Sequence, residues 1–212
     1  MAGRNRDLAR IYAEYGTPPT WFREPGFATL VHIILEQQVS LASARAAYKR
    51  LLSLATPLTP ERFLALDDRQ LKGAGFSRQK MLYGRHLAEA VSRGTLSLET
   101  FGRLDDPEVK AALMSVKGIG AWTADIYLLM SLRRRDVWPA GDLALAVAVQ
   151  ELKRLPSRPT PLELAACAER WRPWRAIAAR LLWNYYLKRR ATANASRSEP
   201  RPVTPEPEGD FA

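Results

Sequence analysis

Apolar residues recur at steps of three and four along 27–39, 42–54, 80–91 and 143–155. That period lines them up on one side of a helix, where a core can cover them. Pro60-Glu61, Pro107-Glu108 and Pro161-Leu162 each open a further helix, with Thr59, Asp106 and Thr160 as N-caps. No stretch alternates with period two between hairpin turns, and no repeat of fixed length is visible. Residues 1–20 read as one helix and a turn at Gly16-Thr17-Pro18-Pro19, and 21–190 is helical throughout. Residues 191–212 hold four prolines and little apolar periodicity, which predicts disorder. The expectation is an all-α protein of about ten helices. They pack as two lobes with a cleft between them. The lobes are discontinuous in sequence, because the first and last helices must both find partners.

Composition narrows the chemistry. One cysteine in 212 residues, Cys167, excludes a disulfide framework and a four-cysteine zinc or iron–sulfur site. Two histidines, His32 and His86, make a His-rich metal centre a poor fit, and His32 sits among apolar neighbours as a core or groove residue. No apolar run nears the ~18 residues of a membrane span. The first residues carry no signal-like core, so the expected setting is a reducing cytoplasm. Lys and Arg number 32 against 22 acids, a net charge of +10. Residues 191–212 hold two arginines and four acids, a balance of −2, so the first 190 residues carry +12. Such an excess points to a polyanionic partner, nucleic acid before membrane, against the plainer reading of a basic surface that binds nothing.

Two short motifs carry candidate chemistry. In Leu113-Met-Ser-Val-Lys-Gly-Ile-Gly-Ala-Trp-Thr-Ala-Asp125 a helix runs into Gly118-Ile119-Gly120 and a second helix follows. Glycines spaced by one residue permit a tight turn and let a phosphate reach the bare N–H groups of the second helix. This is a helix-hairpin-helix signature, which grips the DNA backbone without reading bases. Carbonyls facing such a turn can also hold a monovalent cation. Some twenty residues on, Asp136-Val-Trp-Pro-Ala-Gly-Asp142-Leu places Asp142 at a helix start. It reads as a capping aspartate or as a carboxylate held by the cap and aimed into the cleft. Arg133-Arg134-Arg135, just before it, is equally a helix end opposing its dipole or a phosphate contact.

The order and spacing of these motifs resemble the helix-hairpin-helix–Gly/Pro–Asp superfamily of DNA base-excision glycosylases, within it the 3-methyladenine DNA glycosylase II branch. Glu36-Gln-Gln-Val-Ser40, Gly75-Phe-Ser-Arg-Gln-Lys80 with Tyr83, Trp171-Arg-Pro-Trp-Arg175 and Leu182-Trp183 extend the likeness over most of the chain. The resemblance implies a monomeric enzyme that flips alkylated bases such as 3-methyladenine out of double-stranded DNA and hydrolyses the N-glycosidic bond. It makes Asp142 the catalytic carboxylate and places Trp122, Trp183, Trp138 and Tyr83 at the base pocket. Lys117, Gly118, Ile119 and Gly120 become the DNA-binding hairpin. The carbonyls of Met114, Val116 and Ile119 become cation ligands, and Gln38 the wedge that fills the gap left by the flipped nucleotide. Without it, Trp183 beside Ile177, Leu181, Leu182 and Tyr186 reads as core, and Trp122 could be core as well.

Absences and departures refine that expectation. Bifunctional relatives carry a lysine shortly after the hairpin, where this chain has Gly120-Ala-Trp122-Thr, so a monofunctional enzyme leaving an abasic site is expected. A single cysteine excludes the iron–sulfur cluster of some relatives, and no other cofactor is required. Only about twenty residues precede the match, so the extra N-terminal lobe of larger relatives is not expected. Glu36 replaces a small residue and would set negative charge near the DNA-facing loop, Ala144 stands where glycine is common, and Ile126 replaces an aromatic that can complete the pocket.

Overall fold

The computed structural model describes residues 5–198. Among these are eleven α-helices and no strand: α1 (Arg6–Tyr15), α2 (Phe27–Glu36), α3 (Leu41–Leu54), α4 (Pro60–Leu64), α5 (Asp68–Ala74), α6 (Arg78–Ser92), α7 (Asp106–Met114), α8 (Ala121–Met130), α9 (Leu143–Lys153), α10 (Pro161–Ala168) and α11 (Arg175–Ser198). Short 3₁₀ turns lie at Leu98–Gly102 and Glu169–Trp171.

Local signals set most of the boundaries. Thr59 and Thr160 cap α4 and α10 through their side chains, each with proline in the first turn. The cap of α7 is Asp105 rather than the expected Asp106. Asp105 and Glu108 exchange bonds in a capping box, satisfying two backbone donors at once, which outweighs the cue of an acid directly before Pro107. The final helix also departs from expectation. It continues to Ser198, well into the stretch assigned to a disordered tail. Ala191-Thr-Ala-Asn-Ala is a favourable run for helix, and no proline intervenes before Pro200. The rest of that stretch, 199–212, lies outside the described residues.

α2 is the hub of the larger group. Leu30, Val31, Ile33, Ile34 and Leu35 are each no more than 1% exposed, so it is apolar on every side. It packs on α3, α6 and α8, α4 and α5 close on α6, and α7 pairs with α8. The second group joins both ends of the chain: α1 and α9 pack on α11, and α10 on α9. Leu8 and Ile11 of α1, Leu145, Ala148 and Val149 of α9, and Ala178 and Leu182 of α11 are all essentially inaccessible. Polar ties join the groups: the Arg180 side chain on α11 donates to the Leu129 carbonyl at the end of α8 (3.0 Å), and Ala176 N–H to Arg135 O (3.1 Å).

Glu36 does not act as the free negative charge that its sequence position suggested. It is buried and takes a two-pronged contact from Arg23 (2.7 and 2.8 Å), which cancels its charge within the fold. His32 stacks flat on Tyr48 with centroids 4.2 Å apart, and burial lowers its pKa.

Candidate active site

Asp142 caps α9. Its Oδ1 accepts the Leu145 N–H at 2.9 Å, satisfying one of the bare donors of the first turn. The same oxygen accepts the indole N–H of Trp183 at 3.0 Å, and Oδ2 accepts that of Trp122 at 2.9 Å. Three N–H groups from three helices therefore fix one carboxylate. Indole N–H donation lies in the ring plane, so the ring faces stay available for stacking. Asp142 is 9% exposed and borders a cavity of about 240 Å³. Gly141, Leu143 and Ala146 line one side of it, and Arg158 and Pro159 the other.

The other two aromatics expected at the pocket make different contacts. Trp138 is buried and leans on Trp171 (5.2 Å between centroids, 55°), so it packs the loop that carries Asp142. Tyr83 lies under the hairpin: a Cβ on Gly118 would meet its ring at 2.1 Å, and its hydroxyl accepts from Gln79 at 2.5 Å. Ile126 is 2% exposed, a core position. Trp21, which no motif singled out, meets Trp183 edge to face at 6.2 Å and 83°.

The loop carrying Asp142 is lashed at its start. Arg175 donates to Asp136 Oδ1 (2.9 Å), Oδ2 (3.1 Å) and the Asp136 carbonyl (2.7 Å), and Arg172 to Oδ2 (2.9 Å). The Trp171-Arg-Pro-Trp-Arg175 motif thus acts as an anchor for the loop. Burial by itself would raise the Asp136 pKa. The hydrogen bonds and charge of Arg175, helped by Arg172, outweigh it and hold the carboxyl below its ordinary value. A depressed carboxyl pKa stabilises the fold above the unfolded value, near 3.9, and that contribution fades as pH falls through the folded value. Asp136→Asn should therefore cost about 2 kcal/mol at neutral pH. Its difference from wild type in urea melts should shrink below about pH 4. A gap that holds constant down to about pH 2 would contradict this clamp.

The arginine run has no single role. Arg134 reaches the Phe101 and Leu104 carbonyls (3.0 and 2.7 Å), while exposed Arg133 and Arg135 lie over the rings of Phe22 (3.8 Å) and Trp174 (5.2 Å).

The hairpin joins α7 to α8. Gly118 has φ +99°, and Ile119 N–H closes the turn on Val116 O at 3.0 Å. Gly120 caps α8 without a side chain, which leaves first-turn N–H groups facing outward, beside exposed Lys117. Ile119 is buried and anchors the turn. Met114 is 45% exposed at the end of α7. Gln37 ties the neighbouring loop to this turn, donating to Gly118 O and Thr123 Oγ1, both at 3.0 Å. The next residue, Gln38, is exposed with φ +58°, projecting from that tethered loop. On the inner side Lys110 pairs with buried Asp125 at 2.7 Å, and burial raises the Asp125 pKa despite the lysine.

Residues 31–173 match the family model described as HhH-GPD superfamily base excision DNA repair protein. DNA-3-methyladenine glycosylase 1 of Schizosaccharomyces pombe is 31% identical over 180 residues, covering 83% of this chain and 79% of that protein. DNA-3-methyladenine glycosylase 2 of Escherichia coli is 31% identical over 164 residues, covering 72% of this chain and 55% of its own length. Among solved structures, the S. pombe 3-methyladenine DNA glycosylase in complex with abasic DNA superposes with a TM-score of 0.81 at 30% identity, covering 86% of this chain and 92% of that one. A DNA-3-methyladenine glycosidase from Bacillus halodurans gives 0.71 at 29% identity, with 87% and 86% covered. With two-thirds of its length inside the family match and the same helical frame as these relatives, this chain belongs to the HhH-GPD superfamily of base-excision DNA repair proteins.

Proposed function

We propose that this chain is a monofunctional DNA glycosylase that extrudes alkylated bases, 3-methyladenine among them, and hydrolyses the N-glycosidic bond to leave an abasic site. The observation that carries this reading is the Asp142 carboxylate, held by α9 and by the indoles of Trp122 and Trp183. The likeness to named 3-methyladenine glycosylases supports it.

A base inside duplex DNA is out of reach and must rotate into a pocket. Gln38, exposed on a loop tethered to the hairpin, is placed to fill the gap it leaves. Alkylation at a ring nitrogen makes the base cationic, which favours stacking on indole faces by about 0.5–2 kcal/mol. As the C1′–N bond breaks, its electron pair leaves with the base and neutralises the ring charge. The deoxyribose becomes oxocarbenium-like, and the fixed Asp142 carboxylate stabilises that charge. Water then attacks C1′, and Asp142 takes its proton. The hairpin holds the strand through backbone N–H groups, Lys117 and the net +10 of the chain. Three backbone carbonyls are a donor set suited to a hard cation, and the Val116 oxygen keeps a lone pair beside its bond from Ile119. Met114, Val116 and Ile119 would then hold a monovalent cation that brings positive charge to a phosphate. Acting on genomic DNA places the enzyme in the cytoplasm, at the nucleoid if the cell is prokaryotic. Neither a further cofactor nor a second subunit enters this scheme.

Lysine geometry supports the monofunctional reading. Lys110 is spent on Asp125 and Lys80 on the Leu35 carbonyl (2.6 Å), while Lys117 stands on the outer face of the hairpin. Borohydride added during turnover on a duplex with one alkylated base should trap no protein–DNA adduct, and strands should break only after alkali. A trapped adduct would show lysine attack on the sugar and overturn that part of the proposal.

A further inference from the structure

The segment between α1 and α2 is braced at almost every residue. The Thr20 carbonyl accepts from Arg180 of α11. Phe22 lies under Arg133 at 3.8 Å. Arg23 donates its backbone N–H to Met130 O (3.2 Å) and its guanidinium to buried Glu36. Gly26 N–H reaches the hydroxyl of fully buried Tyr127 at 2.9 Å. Trp21 sits inside this bracing with φ +45°, a backbone state that is costly for a bulky L-residue. Strain of that kind persists where the surroundings over-determine it, and it gathers at ligand sites. Its ring is only partly buried and stands nearly perpendicular to Trp183, whose N–H holds the Asp142 carboxylate.

Resting on the function proposed above, we infer that Trp21 is a third aromatic wall of the base pocket and sets its preference for flat cationic bases. Two indoles at 83° form a corner: a base stacked on one presents its edge to the other. The wall stands in for the aromatic that Ile126 has withdrawn into the core. The departure at Glu36 gains a purpose too, since its bond to Arg23 fixes the segment on which Trp21 rides.

The test compares wild type with Trp21→Ala, Trp21→Leu and Trp21→Phe. Single-turnover release of 3-methyladenine is measured alongside affinity for a duplex containing one abasic site, which offers no base to the wall. Release should slow about tenfold in the Ala and Leu variants and about threefold or less in Phe, while abasic affinity stays within about twofold of wild type. If Trp21→Ala does not fold, the Leu and Phe variants, which keep apolar bulk, carry the same contrast. Unchanged release, or release and abasic affinity falling together, overturns the inference: the first makes the ring irrelevant, the second makes it scaffold. Wild-type protein that releases no 3-methyladenine overturns the parent reading and this one with it. Wild-type release with indistinguishable variants overturns this one alone.

Discussion

Asp142→Asn should release 3-methyladenine about 10²- to 10⁴-fold more slowly in single turnover, with DNA affinity little changed. Asparagine caps a helix as well as aspartate does, so α9 should keep its start. Its oxygen can take over the bonds that Oδ1 receives from Leu145 and Trp183. Its amide then faces the Trp122 indole, donor against donor, where Oδ2 now accepts. The variant therefore loses the negative charge beside the sugar and the acceptor for one proton, while the fold survives at a cost of about 1–2 kcal/mol. The effect should be smallest for bases whose bond is already weak, such as 7-methylguanine, because less of the barrier is left for the enzyme to lower. Release within about tenfold of wild type for every lesion would show Asp142 to be only a cap. Cooperative melting and retained DNA binding separate a chemical loss from a folding one.

What could be read in advance was local. Pro-Ala-Gly-Asp142-Leu places a carboxylate at a helix start through neighbours in the chain, and Thr59 and Thr160 betray their helices in the same way. Gly118 and Gly120 likewise mark their own turn. The partners of these residues were not legible. Asp136 meets Arg172 and Arg175 across 36 and 39 residues, and Trp21 meets Trp183 across the whole fold. Such pairs exist only once α11 has packed on α9 and α1, and no periodicity encodes that. Glu36 shows the same limit: its charge is visible in the sequence, but its neutralisation depends on where Arg23 arrives. Trp138 and Tyr83 stand within matching motifs, and only packing gives one to Trp171 and the other to the hairpin.

Gly118→Ala should lower stability by about 3–4 kcal/mol and weaken binding to damaged and undamaged DNA alike by about tenfold or more. Two costs combine. A left-handed φ of +99° suits glycine and strains alanine by about 1–2 kcal/mol. The new Cβ would also lie 2.1 Å from Tyr83 Cγ and 2.6 Å from its Cβ, atoms too near the α6 backbone to swing aside. The turn would have to lift off the ring. That would break the 3.0 Å bond from Gln37 to the Gly118 carbonyl and free the loop that carries Gln38. Because the hairpin contacts backbone rather than bases, the loss should not depend on the lesion. The double variant Gly118→Ala/Tyr83→Ala divides the two costs. It removes the overlap and keeps the strain, so it should destabilise by less than the two single changes summed, with a coupling of about 1–2 kcal/mol. Tyr83→Phe should change stability by no more than about 0.5 kcal/mol, since the hydroxyl meets only exposed Gln79. Strict additivity in the double variant would place Tyr83 away from the turn. Undiminished binding by folded Gly118→Ala would remove the hairpin from the DNA interface, leaving the charge elsewhere on the chain to hold the strand.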